Sequence, residues 1–326
     1  MIEILLKEWI EQVKYYIHLI ADYSIKESQV GAVLDDVLNL SGKMLRSKLL
    51  LLCAFLGSNW KNNKEKICKL AAMVELTHLA SLIHDDIVDD SPYRRGKVSV
   101  QGKYGKDAAV FAGDFLIARI FYYGAVENLN EAVSILSKTV EYMCIGEIEQ
   151  DLCRYQEDIS EKKYFENIER KTAALFQAAC YIGAKESGCS EEIIQKLELF
   201  VKNLGLMFQL KDDILDFTSS SKELGKETHK DFQNGIYTFP VIMALKNPKA
   251  REVLLPIMRK NKEEKLSLAE ILQLQNYIIQ FGGIEASYQK IKYLSTINRQ
   301  MIKELGENSE ITPYLEKMLN DLEVKK

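Results

Sequence analysis

The chain has 326 residues and a formal net charge of −4, so it lacks the overall positive charge of nucleic-acid-binding proteins, and we expect no nucleic-acid partner. Its six cysteines show no metal-type spacing, and we see no signal peptide and no run of about 20 apolar residues. We therefore expect a cytoplasmic protein without a transmembrane segment.

Apolar residues recur at helical spacing along nearly the whole chain. The predicted helices cover residues 2–22, 26–39, 43–57, 65–90, 105–127, 130–154, 160–186, 190–217, 239–247, 249–260, 267–281, 283–305 and 311–324. Serine, glycine and proline predict loops at 90–97 and 218–226. Only five prolines and seventeen glycines interrupt the chain, and no linker divides it. We predict an all-α protein with a single domain over residues 1–326.

One acidic pattern, Asp-Asp-x-x-Asp, occurs twice, each time within an apolar helical stretch. The two copies are Asp85, Asp86, Asp89 and Asp212, Asp213, Asp216. On a helix the first and last aspartates of a copy lie on the same side, where like charges repel. Such carboxylates are natural ligands of Mg²⁺, which shares its coordination shell with water and substrate phosphates. A lone copy is as often a solvated acidic turn, but two matched copies favour a magnesium cluster held by two facing helices.

Basic residues near these motifs predict phosphate binding. Lys43 and Arg46 are three positions apart at the start of a predicted helix, and Arg94 and Arg95 directly follow the first motif. Arginine binds phosphate oxygens in pairs and lysine acts as a point charge, so a mixed set suits a diphosphate. Taken singly, each is more often a solvated surface charge. Further candidates are Lys171, Lys211 and Lys226.

With these motifs in this order, the chain resembles the trans-isoprenyl diphosphate synthases (polyprenyl synthetases) over about residues 40–245. The resemblance implies a bundle of antiparallel helices around a central substrate cavity, and a homodimer, although a heteromer stays possible. It implies head-to-tail condensation: an allylic diphosphate ionises, and the double bond of isopentenyl diphosphate attacks the resulting carbocation. It also implies roughly three Mg²⁺ ions per active site.

The resemblance further implies roles for individual residues. It assigns isopentenyl diphosphate binding to Lys43, Arg46, His78 and Arg95, and magnesium binding to Asp85, Asp89, Asp212 and Asp216. Whether Asp86, Asp213 and Asp216 bind magnesium directly or through water stays open. Stabilisation of the allylic diphosphate falls to Arg94, Lys171 and Lys226, while Thr172 and Gln209 steady the cation as dipoles. Gly113-Asp114 matches a recurrent pair.

Two positions near the motifs need separate interpretation. Many members of the family carry a lysine where this chain has Ile236, so one contact to the allylic diphosphate is missing. His84 borders the first motif and is either a core histidine or a partner of an aspartate.

Side chains one turn before Asp85 should meet the growing hydrocarbon first. Here they are Ala80 and Ser81, with Thr77 and Met73 farther along the same face. In short-chain members a bulky aromatic near this point acts as a floor, so small residues imply an open tunnel and a product of C20 or longer, about C30 to C40. Aromatic residues that could close the tunnel, or simply be core, are Phe115, Phe121 and Tyr122.

Three other functions compete with a self-sufficient synthase. A class I terpene cyclase would share the fold and first motif, but it needs no isopentenyl diphosphate site, so Lys43, Arg46 and His78 argue against it. A non-catalytic partner subunit would typically have lost aspartates that this chain keeps. A catalytic subunit that is active only with a partner stays open.

Overall fold

The computed structural model describes residues 2–22, 28–39, 42–94, 96–218, 230–306 and 310–323. Helices make up most of this part of the chain, which confirms the predicted all-α class. The strands in the same part are two residues long, β1 (Tyr93–Arg94) and β2 (Lys97–Val98), and they pair antiparallel. A short hairpin therefore begins within the predicted loop at 90–97 and ends one residue beyond it.

The helices in chain order are α1 (Ile2–Ile20), α2 (Gln29–Leu38), α3 (Leu45–Ala54), α4 (Lys64–Val88), α5 (Val100–Tyr104), α6 (Lys106–Val126), α7 (Asn130–Leu152), α8 (Glu161–Ile168), α9 (Ala174–Glu186), α10 (Glu191–Thr218), α11 (Lys230–Gln233), α12 (Phe239–Ala244), α13 (Pro248–Glu263), α14 (Leu268–Gln280), α15 (Gly283–Gly306) and α16 (Thr312–Leu322). A π-helical turn, Glu169–Ala173, separates α8 from α9. The predicted helix at 160–186 is therefore interrupted, whereas the other predicted helices recur with shifted ends.

The chain divides into two compact units, of which the first comprises residues 1–140, 175–199 and 308–311. Its central helix is α4, which packs against α1, α3 and α6. Alpha-helical residues from Leu70 to Thr77 are all buried, and α4 contains neither glycine nor proline. A helix that is apolar all round is a core helix. Its rigid packing fixes the position of the first acidic motif, which lies at its C-terminal end.

The second unit comprises residues 141–174, 200–307 and 312–326, and it contains the second acidic motif. Helix α12 packs against α14 and α15. The start of α15 requires a glycine, because a Cβ atom at Gly283 would lie 2.1 Å from the backbone oxygen of Pro240. The sequence-based expectation of a single domain stays a prediction.

Helices α4 and α6 are long and apolar enough, by length and composition alone, to cross a membrane. In α4, 72% of the most apolar 18-residue stretch is buried in the protein, as in the core helix of a soluble protein. In α6, 39% of the corresponding stretch is buried. One or two such helices are a weak indication of a membrane span. The absence of a transmembrane segment and the cytoplasmic location stay predictions.

Candidate active site

The first acidic motif ends α4, and its three aspartates have different environments. Asp85 is half-buried and Asp89 is exposed, but Asp86 is only 3% exposed. Oxygen Oδ1 of Asp86 accepts hydrogen bonds from Arg94 Nε at 2.8 Å and Nη2 at 2.7 Å. The backbone oxygen of Asp86 also accepts from Ser91 N at 2.9 Å. Asp86 therefore ties the β1–β2 hairpin to the end of α4, and Arg94 is held beside the motif.

His84 contacts helix α6 and not the aspartates of its own motif. Its Nε2 atom lies 3.3 Å from Asp114 Oδ1 and 3.4 Å from the Val110 backbone oxygen. A Cβ atom at Gly113 would come within 2.4 Å of the same Nε2, so only glycine leaves room for the ring. The Gly113-Asp114 pair thus forms the site on α6 against which the His84 ring packs. Of the two interpretations of His84, this contact is that of a partner of an aspartate, but the aspartate is Asp114 of α6 and not one of the first motif.

The residues predicted to bind isopentenyl diphosphate lie in the first unit, except Arg95, which is outside the described residues. Lys43 is exposed and lies two residues before the start of α3. Met44, between Lys43 and the first residue of α3, has a left-handed φ of 52°. Helical spacing therefore does not align Lys43 with Arg46. The Arg46 guanidinium stacks 4.4 Å from the Phe176 ring centroid. His78 is half-buried on α4.

The second acidic motif repeats the pattern of a buried middle aspartate. Asp212 is exposed, Asp213 is 1% exposed and Asp216 is 7% exposed. Both oxygens of Asp213 accept hydrogen bonds, Oδ2 from Tyr164 Oη at 2.5 Å and Oδ1 from Gln209 Nε2 at 3.0 Å. Burial raises the pKa of Asp213 to about 7, although these two hydrogen bonds lower it. The middle aspartate is thus bonded to the protein itself.

Gln209 connects Asp213 to the predicted cation-stabilising threonine. Thr172 Oγ1 donates to Gln209 Oε1 at 3.0 Å. Hydrogen bonds therefore run without a break from Thr172 through Gln209 to Asp213, where Tyr164 donates from the other side. Burial and the nearby Asp213 carboxylate raise the pKa of Tyr164 well above its ordinary value, so Tyr164 keeps its proton.

The π-helical turn at Glu169–Ala173 holds Lys171 and Thr172 through contacts with α7 and α10. Lys171 Nζ lies 2.9 Å from a carboxylate oxygen of Glu147, and Arg170 pairs with Glu149. Gly205 of α10 packs so closely that an added Cβ would lie 2.9 Å from Ala173 Cα. Single π-turns inside helices are frequent at functional sites. Here the turn makes successive side chains face two different helices.

A cavity of about 200 Å³ lies inside the second unit, beside the second motif. Its lining is Glu149, Gln150, Cys153, Ile159, Lys163, Tyr164, Asn167, Ile168, Lys171, Gln209, Asp212, Asp213, Asp231, Ile236, Tyr237 and Thr238. Carboxylates outnumber lysines in this lining, so a bare anion would be repelled and an anion carrying metal cations would be favoured. The volume is below the roughly 300–1,000 Å³ of typical ligand pockets, which suits a polar head group better than a long hydrocarbon.

Two features of this cavity bear on the sequence predictions. Lys171, Gln209 and Asp212, assigned to one substrate site by resemblance, line the same cavity. Ile236 lines it as well, so an apolar side chain stands at the position where the resemblance implies a lysine in many members of the family. Lys226 lies outside the described residues, and Lys211 donates to the backbone oxygen of Asp321 at 2.5 Å instead of lining the cavity.

The predicted chain-length residues lie on α4. Ala80 is fully buried, Thr77 is 2% exposed and Ser81 is half-buried. On α6, Phe115 and Phe121 are half-buried, but Tyr122 is 62% exposed. The exposure of Tyr122 is unlike that of a residue that closes a tunnel inside the chain.

The acidic motifs have the chemistry that magnesium needs. Their donors are carboxylate oxygens, which hard divalent cations prefer, and Asp89 and Asp212 are exposed enough to meet an ion with its waters. Among the described residues of either unit, no three acidic, histidine or cysteine side chains form a ready metal site. The donor set therefore fits Mg²⁺ that takes its remaining ligands from water and phosphate.

Several residues of the site were not predicted from the sequence. Tyr164, Glu147 and Glu149 carry no motif, and their partners are distant in the sequence. A weak signal existed for Tyr164, because it precedes Lys171 by seven residues, or two helical turns.

This chain is similar to known proteins over most of its length. The family model described as polyprenyl synthetase matches residues 27–275. Heptaprenyl diphosphate synthase component 2 of Bacillus subtilis (strain 168) is 38% identical over 230 residues, which cover 71% of this chain and 65% of that protein. The protein of the same description from Geobacillus stearothermophilus is 34% identical over 265 residues, covering 80% of each chain.

A solved structure is also similar to this chain. It is the polyprenyl synthase from Caulobacter crescentus CB15 complexed with calcium and isoprenyl diphosphate, with a TM-score of 0.87 at 28% sequence identity. The match covers 98% of this chain and 96% of the solved one. The fold of this chain is therefore that of an isoprenoid synthase.

Proposed function

Because the chain belongs to the polyprenyl synthetase family, whose members are prenyltransferases, we propose that it condenses isopentenyl diphosphate with an allylic diphosphate to make a polyprenyl diphosphate. The reaction forms one carbon–carbon bond, releases diphosphate from the allylic substrate and loses one proton. Both diphosphates are the partners that the sequence predicted.

The observation that carries this proposal is the lining of the cavity in the second unit. Lys171, Gln209 and Asp212 are far apart in the sequence, yet they line one polar space with an excess of carboxylates. Such a space favours a metal-bound diphosphate over a free anion or a neutral ligand. A ligand of that kind is the leaving group that the proposed reaction requires.

We propose Asp85 and Asp89 of the first motif and Asp212 and Asp216 of the second as magnesium ligands, with roughly three ions per active site. Bound magnesium would stabilise the negative charge that develops on the leaving diphosphate. Asp86 and Asp213 have a different role, because their oxygens accept hydrogen bonds from Arg94, Tyr164 and Gln209. Asp86 holds the β1–β2 hairpin through its Oδ1 atom, and Asp213 holds α8 and Gln209 through both of its oxygens.

The side chains around the cavity bind and orient the substrate. Lys171 gives up part of its interaction with Glu147 when a diphosphate enters, and its positive charge then stabilises the leaving group. We assign the same task to Arg94, which Asp86 holds beside the first motif. Lys43, Arg46 and His78 bind isopentenyl diphosphate. Closure of the site against water protects the carbocation from hydrolysis.

Product length is proposed from Ala80 and from the relatives. Alanine, unlike a bulky aromatic, would not block a long hydrocarbon beside α4, and the two relatives are described as heptaprenyl diphosphate synthase components. A heptaprenyl chain has seven five-carbon units, so about 35 carbons, which lies within the expected range of about C30 to C40.

A second candidate function has one specific observation in its favour. The two relatives are each described as component 2 of a synthase. This chain would then be the catalytic component of a heteromer and inactive alone. A self-sufficient homodimer is the alternative, and a class I terpene cyclase is disfavoured by the complete second acidic motif.

The test is to incubate the purified chain with Mg²⁺, labelled isopentenyl diphosphate and allylic primers of 10, 15 or 20 carbons. Hydrolysed products of 30 or more carbons support the proposal. Activity that appears only when an extract fraction is added, together with a larger assembly by light scattering, supports the heteromer. Cyclic hydrocarbons formed from the primer alone would overturn the condensation.

A further inference from the structure

We propose that Tyr164 and Asp213 are positioning residues that fix the direction of the hydrogen bonds from Thr172 through Gln209. Their effect is to turn the lone pairs of the Thr172 oxygen toward the allylic cation. This role rests on the proposed function, because it concerns the carbocation formed in that reaction. It is separate from metal binding.

The direction of the hydrogen bonds follows from the chemistry of the groups. In its ionised form Asp213 can only accept, and each of its oxygens accepts one bond, from Tyr164 at 2.5 Å and from Gln209 at 3.0 Å. The NH₂ end of the Gln209 amide must therefore face Asp213. The Gln209 oxygen must then face Thr172, whose hydroxyl donates to it at 3.0 Å.

This arrangement decides which end of the Thr172 hydroxyl is left for the substrate. Its only proton is used in the bond to Gln209, so its remaining lone pairs are negative ends available to a cation. Dipoles that are already oriented stabilise developing charge without reorganisation, which is the main source of electrostatic catalysis. A hydroxyl free to rotate, or an amide free to flip, would give up part of this effect.

Tyr164 keeps Asp213 in place because its own ring is tightly packed. The ring is 7% exposed, and its centroid lies 5.2 Å from that of Phe165 and 5.5 Å from that of Phe239. Asp213 itself is 1% exposed. The hydroxyl of Tyr164 is therefore a fixed donor, and the second oxygen of Asp213 has no need of another partner.

The test compares two ligands that differ in charge. One is an allylic ammonium analogue, in which a positively charged nitrogen replaces the carbon that becomes cationic, bound together with inorganic diphosphate. The other is the thiodiphosphate analogue of the same primer, whose allylic carbon stays uncharged. For Tyr164→Phe we expect about 10- to 100-fold weaker binding of the ammonium analogue, measured by calorimetry with Mg²⁺, and unchanged binding of the thiodiphosphate analogue.

Tyr155→Phe is the matched control, since it also removes one phenolic oxygen from the second unit. Its hydroxyl donates to the Gln233 backbone oxygen at 3.4 Å, away from the cavity lining, so both ligands should bind as in the wild type. Equal weakening of both ligands by Tyr164→Phe would show a merely structural role and overturn the proposal.

A double-variant cycle tests whether Tyr164 acts through Thr172. In the Thr172→Val background, Tyr164→Phe should weaken the ammonium analogue by less than about twofold further, because the dipole is already gone. Full additivity would contradict the proposal. If Tyr164→Phe does not fold, as judged by circular dichroism, Asp213→Asn replaces it, because Tyr164 then holds the asparagine oxygen and the asparagine NH₂ group turns the Gln209 amide around.

Failure of this role can be told apart from failure of the proposed function. Wild-type condensation with normal binding selectivity for the ammonium analogue, but no selective loss in the variants, overturns the role alone. Absence of wild-type condensation with every primer and every added fraction overturns both.

Discussion

Arg94 and Asp86 form an ion pair in which two guanidinium nitrogens, at 2.8 and 2.7 Å, share one carboxylate oxygen. The Asp86 side chain is 4% exposed and that of Arg94 is 22% exposed, so water screens the pair little. Arg94, which the resemblance assigns to the diphosphate, is thus bonded to Asp86, for which direct or water-mediated magnesium binding stays open. The pair joins the β1–β2 hairpin to the first acidic motif.

Arg94→Lys tests the geometry of this pair. A lysine keeps the charge but cannot donate from two nitrogens, so we expect a loss of about 1–2 kcal/mol in the free energy of unfolding. Condensation should slow because the hairpin no longer holds its cation beside the motif. Urea denaturation and steady-state rates measure the two effects. Wild-type stability and rate in this variant would show that the paired geometry is unimportant.

Gly113→Ala tests whether the His84 ring needs a glycine at position 113 to pack against α6. An added methyl group would lie 2.4 Å from His84 Nε2, so the ring must move, and we expect a loss of about 1–3 kcal/mol in unfolding free energy. His84→Ala removes the overlapping ring and supplies the control. In that background Gly113→Ala should cost little, and a full cost there would mean that the overlap with His84 is not the cause.

The sequence predicted the parts of the molecule that depend on local pattern. Helix α4 was found because its apolar residues are continuous and no glycine or proline interrupts them. The hairpin at Tyr93–Val98 was missed because two-residue strands have no period, and the π-turn was missed because its sequence is ordinary for a helix. Both depend on contacts with other elements, which a local pattern does not contain.

The same limit applies to the site. The pattern Asp-Asp-x-x-Asp does not distinguish its three carboxylates from one another. In the structure Asp212 is exposed, whereas Asp213 is buried and accepts hydrogen bonds from Tyr164 and Gln209. Glu147 and Lys171 are 24 positions apart in the sequence, and no local pattern near either residue predicts that they pair. The residue types of the site were predictable, whereas the choice of hydrogen-bond partners was not.

Ala80→Phe tests the chain-length prediction. The chain-length proposal places the hydrocarbon beside the buried Ala80, so a phenyl ring there should occupy that space, and we expect products shorter by at least one five-carbon unit. The added volume should also lower stability by about 1–3 kcal/mol. Chromatography of the hydrolysed products measures the length. Val30→Phe, at a position that is 52% exposed, is the control for an added ring.

An unchanged product distribution in a folded Ala80→Phe variant would remove this residue from the tunnel. The floor of the tunnel would then be sought on another helix.

Glu270 predicts how stability depends on acid. Hydrogen bonds from Lys260 and Ser267 lower the pKa of Glu270 to about 2, from an ordinary value near 4.5. A lowered folded-state pKa stabilises the protein above about pH 4.5, and this contribution is lost as the pH falls toward 2. Glu270→Gln should flatten the stability curve over that window and leave its shape near pH 7 unchanged. Urea midpoints from pH 2 to 7 measure this, and parallel curves for both proteins would contradict the assignment.

The measurement that tests the central claim most directly is the condensation rate of single-aspartate variants with Mg²⁺, under conditions in which the wild type is active. Asp89→Ala and Asp212→Ala should each lower the rate by at least about 100-fold while the helical circular dichroism stays intact. The matched control is Asp90→Asn, because Asp90 is exposed, pairs with Lys106 and lies one residue past the motif. It should retain the wild-type rate. Near-normal turnover by both alanine variants would contradict the account.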